Sequence, residues 1–205
     1  MRITSPDFAD GETIPGEFAF CVPDPDSHAT FGGNRNPSLA WSDLPDGTLS
    51  VVVTCIDGDV PSQPDDVNQE GREIPESLPR VDFVHWVIAD LGPDSAIAAG
   101  AWSDGVTPGG KPGADGTPVE GANSYGMWFG DDPDMGGSYR GYDGPCPPWN
   151  DSILHHYVFT AYALGVGSLG LSGAFTVDDA LKAMEGHVRG EASLTGIYTL
   201  NPRLT

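Results

Sequence analysis

Lysine is almost absent from this chain: Lys111 and Lys182 are the only two, and with arginine the bases number nine against 30 acids, a formal net charge of -21. That shortage of positive charge repels nucleic-acid phosphates and acidic membrane faces, which excludes both as expected partners. Two readings of the acidic surface remain, a solvated face that keeps the protein soluble and an adaptation to a salt-rich cytoplasm where screening relieves self-repulsion. Cysteine is scarce too. Cys21, Cys55 and Cys146 are an odd count without CxxC spacing, so reduced thiols in a cytoplasmic protein are expected. No apolar run is long enough to span a bilayer, and Met1 to Phe20 carries four acids, so neither a signal peptide nor a membrane anchor is expected. HExxH, GxSxG and Walker signatures are missing, and no cofactor is implied.

What is present points to β-structure. Gly 28 and Pro 19 mark many turns, while 39% hydrophobic residues and five Trp argue against disorder, and 205 residues suit a single domain over 1–205. Leu49 to Ile56 lacks alternation, as a strand covered on both faces does, and is expected to end at Asp57-Gly58-Asp59-Val60-Pro61. Val81 to Ala89 reads as a second strand, with Phe83, His85 and Val87 on one face and Val84, Trp86 and Ile88 on the other. Ser62 to Arg80 is a long polar loop between them, a functional cover or an insertion. Gly92 to Gly141 reads as ordered loops pinned by Trp102, Tyr125, Trp128 and Phe129. One helix stands out, opened by a capping box at Thr176 and Asp179 and continued by Val177, Ala180, Leu181, Met184 and Val188. Gly196 to Leu200 closes the chain as a strand.

The chemistry-bearing residues gather around a stiff turn. Pro145, Pro147 and Pro148 rigidify Gly144 to Pro148, and the strand that follows from Leu154 puts His155 and Tyr157 on one face and His156 on the other. Asp57 and Asp59, two apart, share a face by the same rule; either they cap a strand end or they orient an imidazole. His85 lies on a buried strand, where a satisfied core histidine competes with a functional one. A divalent metal is the weaker reading, because no ligand spacing supports it and His155 and His156 diverge. Cys146 reads as a small buried side chain rather than a nucleophile. Gly165 to Gly170 matches GxGxxG without the helix that should follow, and Asn150-Asp151-Ser152 matches a glycosylation sequon that carries no weight without a secretion signal.

Taken in order, these motifs resemble the phosphatidylethanolamine-binding protein family in its prokaryotic, Raf-kinase-inhibitor-like branch. The resemblance is carried by Asp10-Gly11 with Ile14-Pro15, Asn34 to Trp41, Asp57-x-Asp59-x-Pro61, His85-Trp86, Gly144-Pro145-x-Pro147-Pro148 and Leu154-His155-x-Tyr157. It implies an all-β fold, a Greek-key antiparallel β-sandwich with one or two peripheral helices and long ordered loops. It also implies a small anion pocket formed by Asp57, Asp59, His85, Gly144, Pro145, His155 and Tyr157, which would bind a phosphate-like or carboxylate-like group. Members act as inhibitors or scaffolds of kinases and proteases, and prokaryotic relatives are often dimers, so a protein partner and a homodimer are implied. The function expected is non-enzymatic binding of a small anion. The alternative is a hydrolase with His155 as general base. Three departures from the family pattern stand out: Gly58 for the usual proline, His156 for the usual arginine, and the Ser62 to Arg80 insertion.

Overall fold

The β-branched and aromatic runs of the sequence become the strands of one large sheet. The computed structural model describes residues 1–205. In chain order it contains β1 (Arg2–Thr4), β2 (Cys21–Asp24), β3 (His28–Phe31), β4 (Leu39–Ser42), β5 (Ser50–Pro61) and β6 (Arg80–Leu91). There follow β7 (Ala96–Ile97), β8 (Val119–Glu120), α1 (Tyr125–Phe129), β9 (His155–Leu164), α2 (Val177–Met184) and β10 (Val188–Tyr198). The five-stranded sheet runs β10-β9-β5-β6-β8, every pair antiparallel. Within it β9 returns by a long connection to lie beside β5, outside the β5-β6-β8 run, which is the Greek-key arrangement. A three-stranded sheet, β1-β4-β7, supplies Ile3, Leu39, Trp41 and Ile97 to the same core as Val51, Val53, Cys55, Trp86 and Phe159 of the large sheet. The opposite face of the large sheet buries Val52, Val87 and Leu164 against Ala180 and Met184 of α2. Both faces of β5 are therefore covered, which is why its sequence shows no alternation. The fold is all-β with few helices, and no helix is long and apolar enough to cross a membrane.

Strict alternation fails in β6, and that failure shapes the site. Across the β5–β6 pair Trp86 faces Cys55 and Val84 faces Ile56, so His85 is an extra residue without a partner on β5. An inserted residue resets the period of two. Trp86 and Ile88 consequently join the core that Phe83 packs against, while Val87 and Ala89 turn to the opposite one, which corrects the expected division of this strand. β5 also continues past Asp57 to Pro61 rather than ending there, with a register shift between Asp57 and Val60. The Asp59 N–H donates to Asp57 Oδ1 at 2.8 Å, closing a local turn inside the strand.

Three further expectations are revised. The capping box is formed, Thr176 Oγ1 accepting from Asp179 N and Asp179 Oδ2 accepting from Thr176 N, but α2 stops at Met184 and Val188 begins β10. A Gly186 turn at φ +76° intervenes, a conformation that glycine adopts without strain. The expected loop region contains the single-turn helix α1, which brings Tyr125 and Phe129 against the core. The expectation of three reduced thiols is also wrong. Cys21 and Cys146 are joined in a disulfide, and only Cys55 is free and buried. With that pair joined, the cysteine count no longer argues for a reducing compartment.

Candidate functional site

Period-two geometry on β9 places His155 and Tyr157 on the inner face, and the register then supplies their neighbours. Asp57 lies opposite Tyr157 on one side and Phe83 on the other. The bulge adds His85, whose ring centroid sits 5.0 Å from that of Tyr157 and 5.0 Å from that of Phe83. These four residues, Asp57, His85, His155 and Tyr157, line one cavity of about 140 Å³. Its walls are aromatic: Phe20 stacks on Tyr125 at 4.5 Å, and Phe129 lies 5.9 Å from Phe20. Phe31 and Trp128, 55% and 49% exposed, also line it.

Three expected site residues do not reach the cavity. Asp59 is carried to the other face by the turn at Asp57, where its Oδ2 accepts from the His156 N–H at 2.9 Å and pairs with His156 Nδ1 at 2.8 Å. His156 points away from the site, as its position on β9 requires. Gly144 and Pro145 stand behind the wall: the Gly144 N–H donates to Asn34 Oδ1 and its carbonyl accepts from the Tyr125 hydroxyl, while the Pro145 carbonyl accepts from the Cys21 N–H. A Cβ at Gly144 would collide with the Phe18 carbonyl, so the position admits only glycine. The next three residues of that stiff turn, Cys146, Pro147 and Pro148, form the cavity wall instead.

The two histidines of the floor are in opposite states. His155 Nδ1 is 2.7 Å from Asp57 Oδ2, and Nε2 is 3.1 Å from Asp151 Oδ2. Burial alone would push its pKa down, but the two carboxylates outweigh burial and raise it to about 9. The ring is thus protonated at neutral pH with both N–H groups in use. It has neither a lone pair to act as a general base nor a donor to spare. Arg80 completes the cluster with a bidentate bridge to Asp151 at 2.6 and 3.0 Å. His155 and the partly buried Arg80 against the buried Asp57 and Asp151 make a charge-balanced quartet, and burial of Asp151, which would raise its pKa, is overcome by hydrogen bonds from His155 and Arg80 that lower it.

His85 is pushed the other way. Desolvation lowers its pKa, only partly offset by Asp57 and by the bond to Asp143. Its Nδ1 is 2.7 Å from the Asp143 carbonyl, which can only accept, so the proton of the neutral ring sits on Nδ1. That leaves Nε2 with a lone pair and no protein partner. The Asp143 carboxylate is itself held by Asn34 and Asn123, each at 2.7 Å, and by Lys111 at 3.2 Å, which fixes the carbonyl that sets the tautomer. Burial, with the nearby Asp57 charge, raises the Tyr157 phenol well above its usual range, so it stays a neutral hydroxyl, and it too has no protein partner. A lone pair and a hydroxyl, framed by aromatic rings, are what the floor presents.

A protein family model described as phosphatidylethanolamine-binding protein matches residues 4–199. The chain belongs to the phosphatidylethanolamine-binding protein family. It is similar to the UPF0098 protein of Methanothermobacter thermautotrophicus, 33% identical over 85% of this chain and 89% of that one. It is also similar to the UPF0098 protein YbhB of Escherichia coli, 28% identical over 97% and 100%. Among solved structures, the phosphatidylethanolamine-binding protein homologue CT736 of Chlamydia trachomatis matches with a TM-score of 0.65 at 28% identity, covering 96% of this chain and 95% of that one. YbcL of Escherichia coli matches with the same TM-score at 22% identity, covering 97% of both chains, a likeness of fold.

Within this family member, reading by motif missed the residues that decide the chemistry of the motif. Asp151, which with Asp57 holds His155 charged, is visible only as part of a sequon, and Arg80, which braces Asp151, only as the end of a loop. Asp143, which orients His85, sits one residue before the glycine that begins the proline turn. The disulfide had no local signal, since its cysteines are 125 residues apart.

Proposed function

We propose that this protein is a binding protein whose pocket takes a small oxyanion, a phosphoryl or carboxylate group, against His85 Nε2 and the Tyr157 hydroxyl. The observation that carries this reading is that these are two polar atoms without protein partners at the floor of a cavity walled mostly by apolar side chains. Polar atoms that line an apolar cavity without a protein partner are satisfied only by a ligand or by water. Tyr157 donates to the anion directly. At His85 one proton lies between Nε2 and the oxyanion, carried in either by the imidazole or by a protonated phosphate, so binding favours low pH. The acidic surface does not oppose this, because distant exposed charge is screened over about 8–10 Å while contacts inside the cavity are not.

Calorimetry tests the assignment. Tyr157→Phe keeps the ring and deletes the donor, and a hydrogen bond to a charged group contributes about 1.5–3 kcal/mol, so phosphate affinity falls by about 10- to 100-fold. Sulfate, whose charge is constant over this range, separates the protein's titration from the ligand's. Its affinity rises as pH falls below about 6.5, the ordinary histidine value. Equal phosphate affinity in wild type and Tyr157→Phe would count against the reading.

A further inference from the structure

The loop from Ser62 to Pro79 is fixed over the cavity by a polar clasp, and one atom of that clasp is left over. Asn150, buried, donates its Nδ2 to the carbonyls of Asp66, Gln69 and Arg72 at 2.8, 3.4 and 3.3 Å. Its Oδ1 accepts from the Asn68 N–H at 3.0 Å. The same contacts dispose of the sequon, since the Asn150 amide is committed inside the protein. Asn68 stands at φ +56°, a left-handed conformation that asparagine tolerates better than most residues. Its Oδ1 accepts from the Trp149 N–H at 3.0 Å.

The orientation of the Asn68 amide follows from donor and acceptor identity. A backbone N–H can only donate, so the oxygen of Asn68 must face Trp149, and the NH2 group takes the other side. Asn68, an exposed residue, lines the cavity where it opens to solvent, and no protein acceptor meets its Nδ2. Three supports hold the residue rigid: the Asn150 contact to its backbone, the Trp149 contact to its side chain, and the neighbouring stack of Trp149 on His28 at 4.0 Å. The cost of ordering the group is therefore met before any ligand arrives.

We infer that Asn68 is a specificity-determining residue. Its Nδ2 donates to a hydrogen-bond acceptor, a carbonyl or ether oxygen, that the ligand carries on its apolar body away from the anionic head. This rests on the anion reading of the floor and adds a second requirement to it. The ligand class is then an anion joined through an apolar or aromatic spacer to an uncharged acceptor, and a bare phosphate satisfies only half the pocket.

The test compares two probes on the full-length protein by calorimetry, phenyl phosphate and 4-acetylphenyl phosphate, which share a head and differ by one acceptor. Wild type is expected to prefer the acetyl compound by about 3- to 10-fold, the range of one net hydrogen bond. Asn68→Asp retains an oxygen for the Trp149 N–H and the tolerance of a left-handed backbone but has no donor, and its preference is expected to vanish. The added charge acts on the shared phosphate head of both probes alike, while its oxygen repels the acetyl oxygen, so the preference is lost or reversed. If the preference survives in Asn68→Asp, or wild type shows none, the Asn68 assignment is overturned while the floor stands. If wild type takes neither probe, the anion reading fails and this inference falls with it.

Discussion

Each histidine of the floor stores a different dependence on pH. His155 is raised from an ordinary value of 6.5 to about 9 in the folded protein. Its contribution to stability is fully present below about pH 6.5 and is lost as pH rises through about 9, a contribution of roughly 3 kcal/mol. His85 is lowered, so the unfolded chain binds its proton first, and this residue costs stability as pH falls below about 6.5. Urea denaturation at pH 6 and pH 10 should therefore show a loss on the alkaline side that Asp151→Asn reduces, because Asp57 alone is then left to hold the imidazole charged. Wild type and Asp151→Asn falling by the same amount would show that Asp151 does not set the charge of His155.

At the level of elements, the regular strands were legible and their irregularities were not. The alternation of β9 gave the shared face of His155 and Tyr157, and the apolar run of β5 gave a central strand. The Asp59 position was misread because period two was extended through Asp57-Gly58-Asp59, where a side-chain-to-backbone bond turns the chain. Alternation assigns the faces of β6 wrongly because one extra residue at His85 shifts Trp86 to Ala89. Bulges depend on what the partner strand does, so a single strand's pattern does not reveal them. Ser62 to Arg80 reads from its sequence as either a cover or an insertion, and the residue that fixes it, Asn150, lies 82 residues beyond Asn68. Asn150→Ala deletes the amide that binds three carbonyls and the Asn68 N–H. Hydrogen exchange of the backbone amides from Val67 to Arg72 is expected to quicken by an order of magnitude or more, with the β5 and β9 amides unchanged. Unchanged exchange in the loop would mean that its other contacts, Glu70 to His28 and Glu73 to Arg203 among them, suffice to hold it.

Across the whole molecule, the disulfide ties the β2–β3 hairpin to the proline turn, and both Cys21 and Cys146 line the cavity. A cross-link spanning 125 residues of sequence contributes about 2–5 kcal/mol by restricting the unfolded chain. Cys146→Ser is expected to lower the urea midpoint correspondingly and to weaken oxyanion binding only mildly, since the Cys21 N–H still bonds the Pro145 carbonyl. An unchanged midpoint would show that the bond adds no stability. The fold was readable because the family's motifs run in order across most of the chain, whereas the floor is assembled from β5, β6 and β9 and tuned by residues outside those motifs. The most direct test of the account is an NMR titration of the His85 imidazole with and without saturating sulfate. The account predicts that His85 begins below its ordinary value with the proton on Nδ1, and that sulfate moves its titration upward while His155 stays protonated throughout. A His85 titration that sulfate leaves unmoved would contradict it.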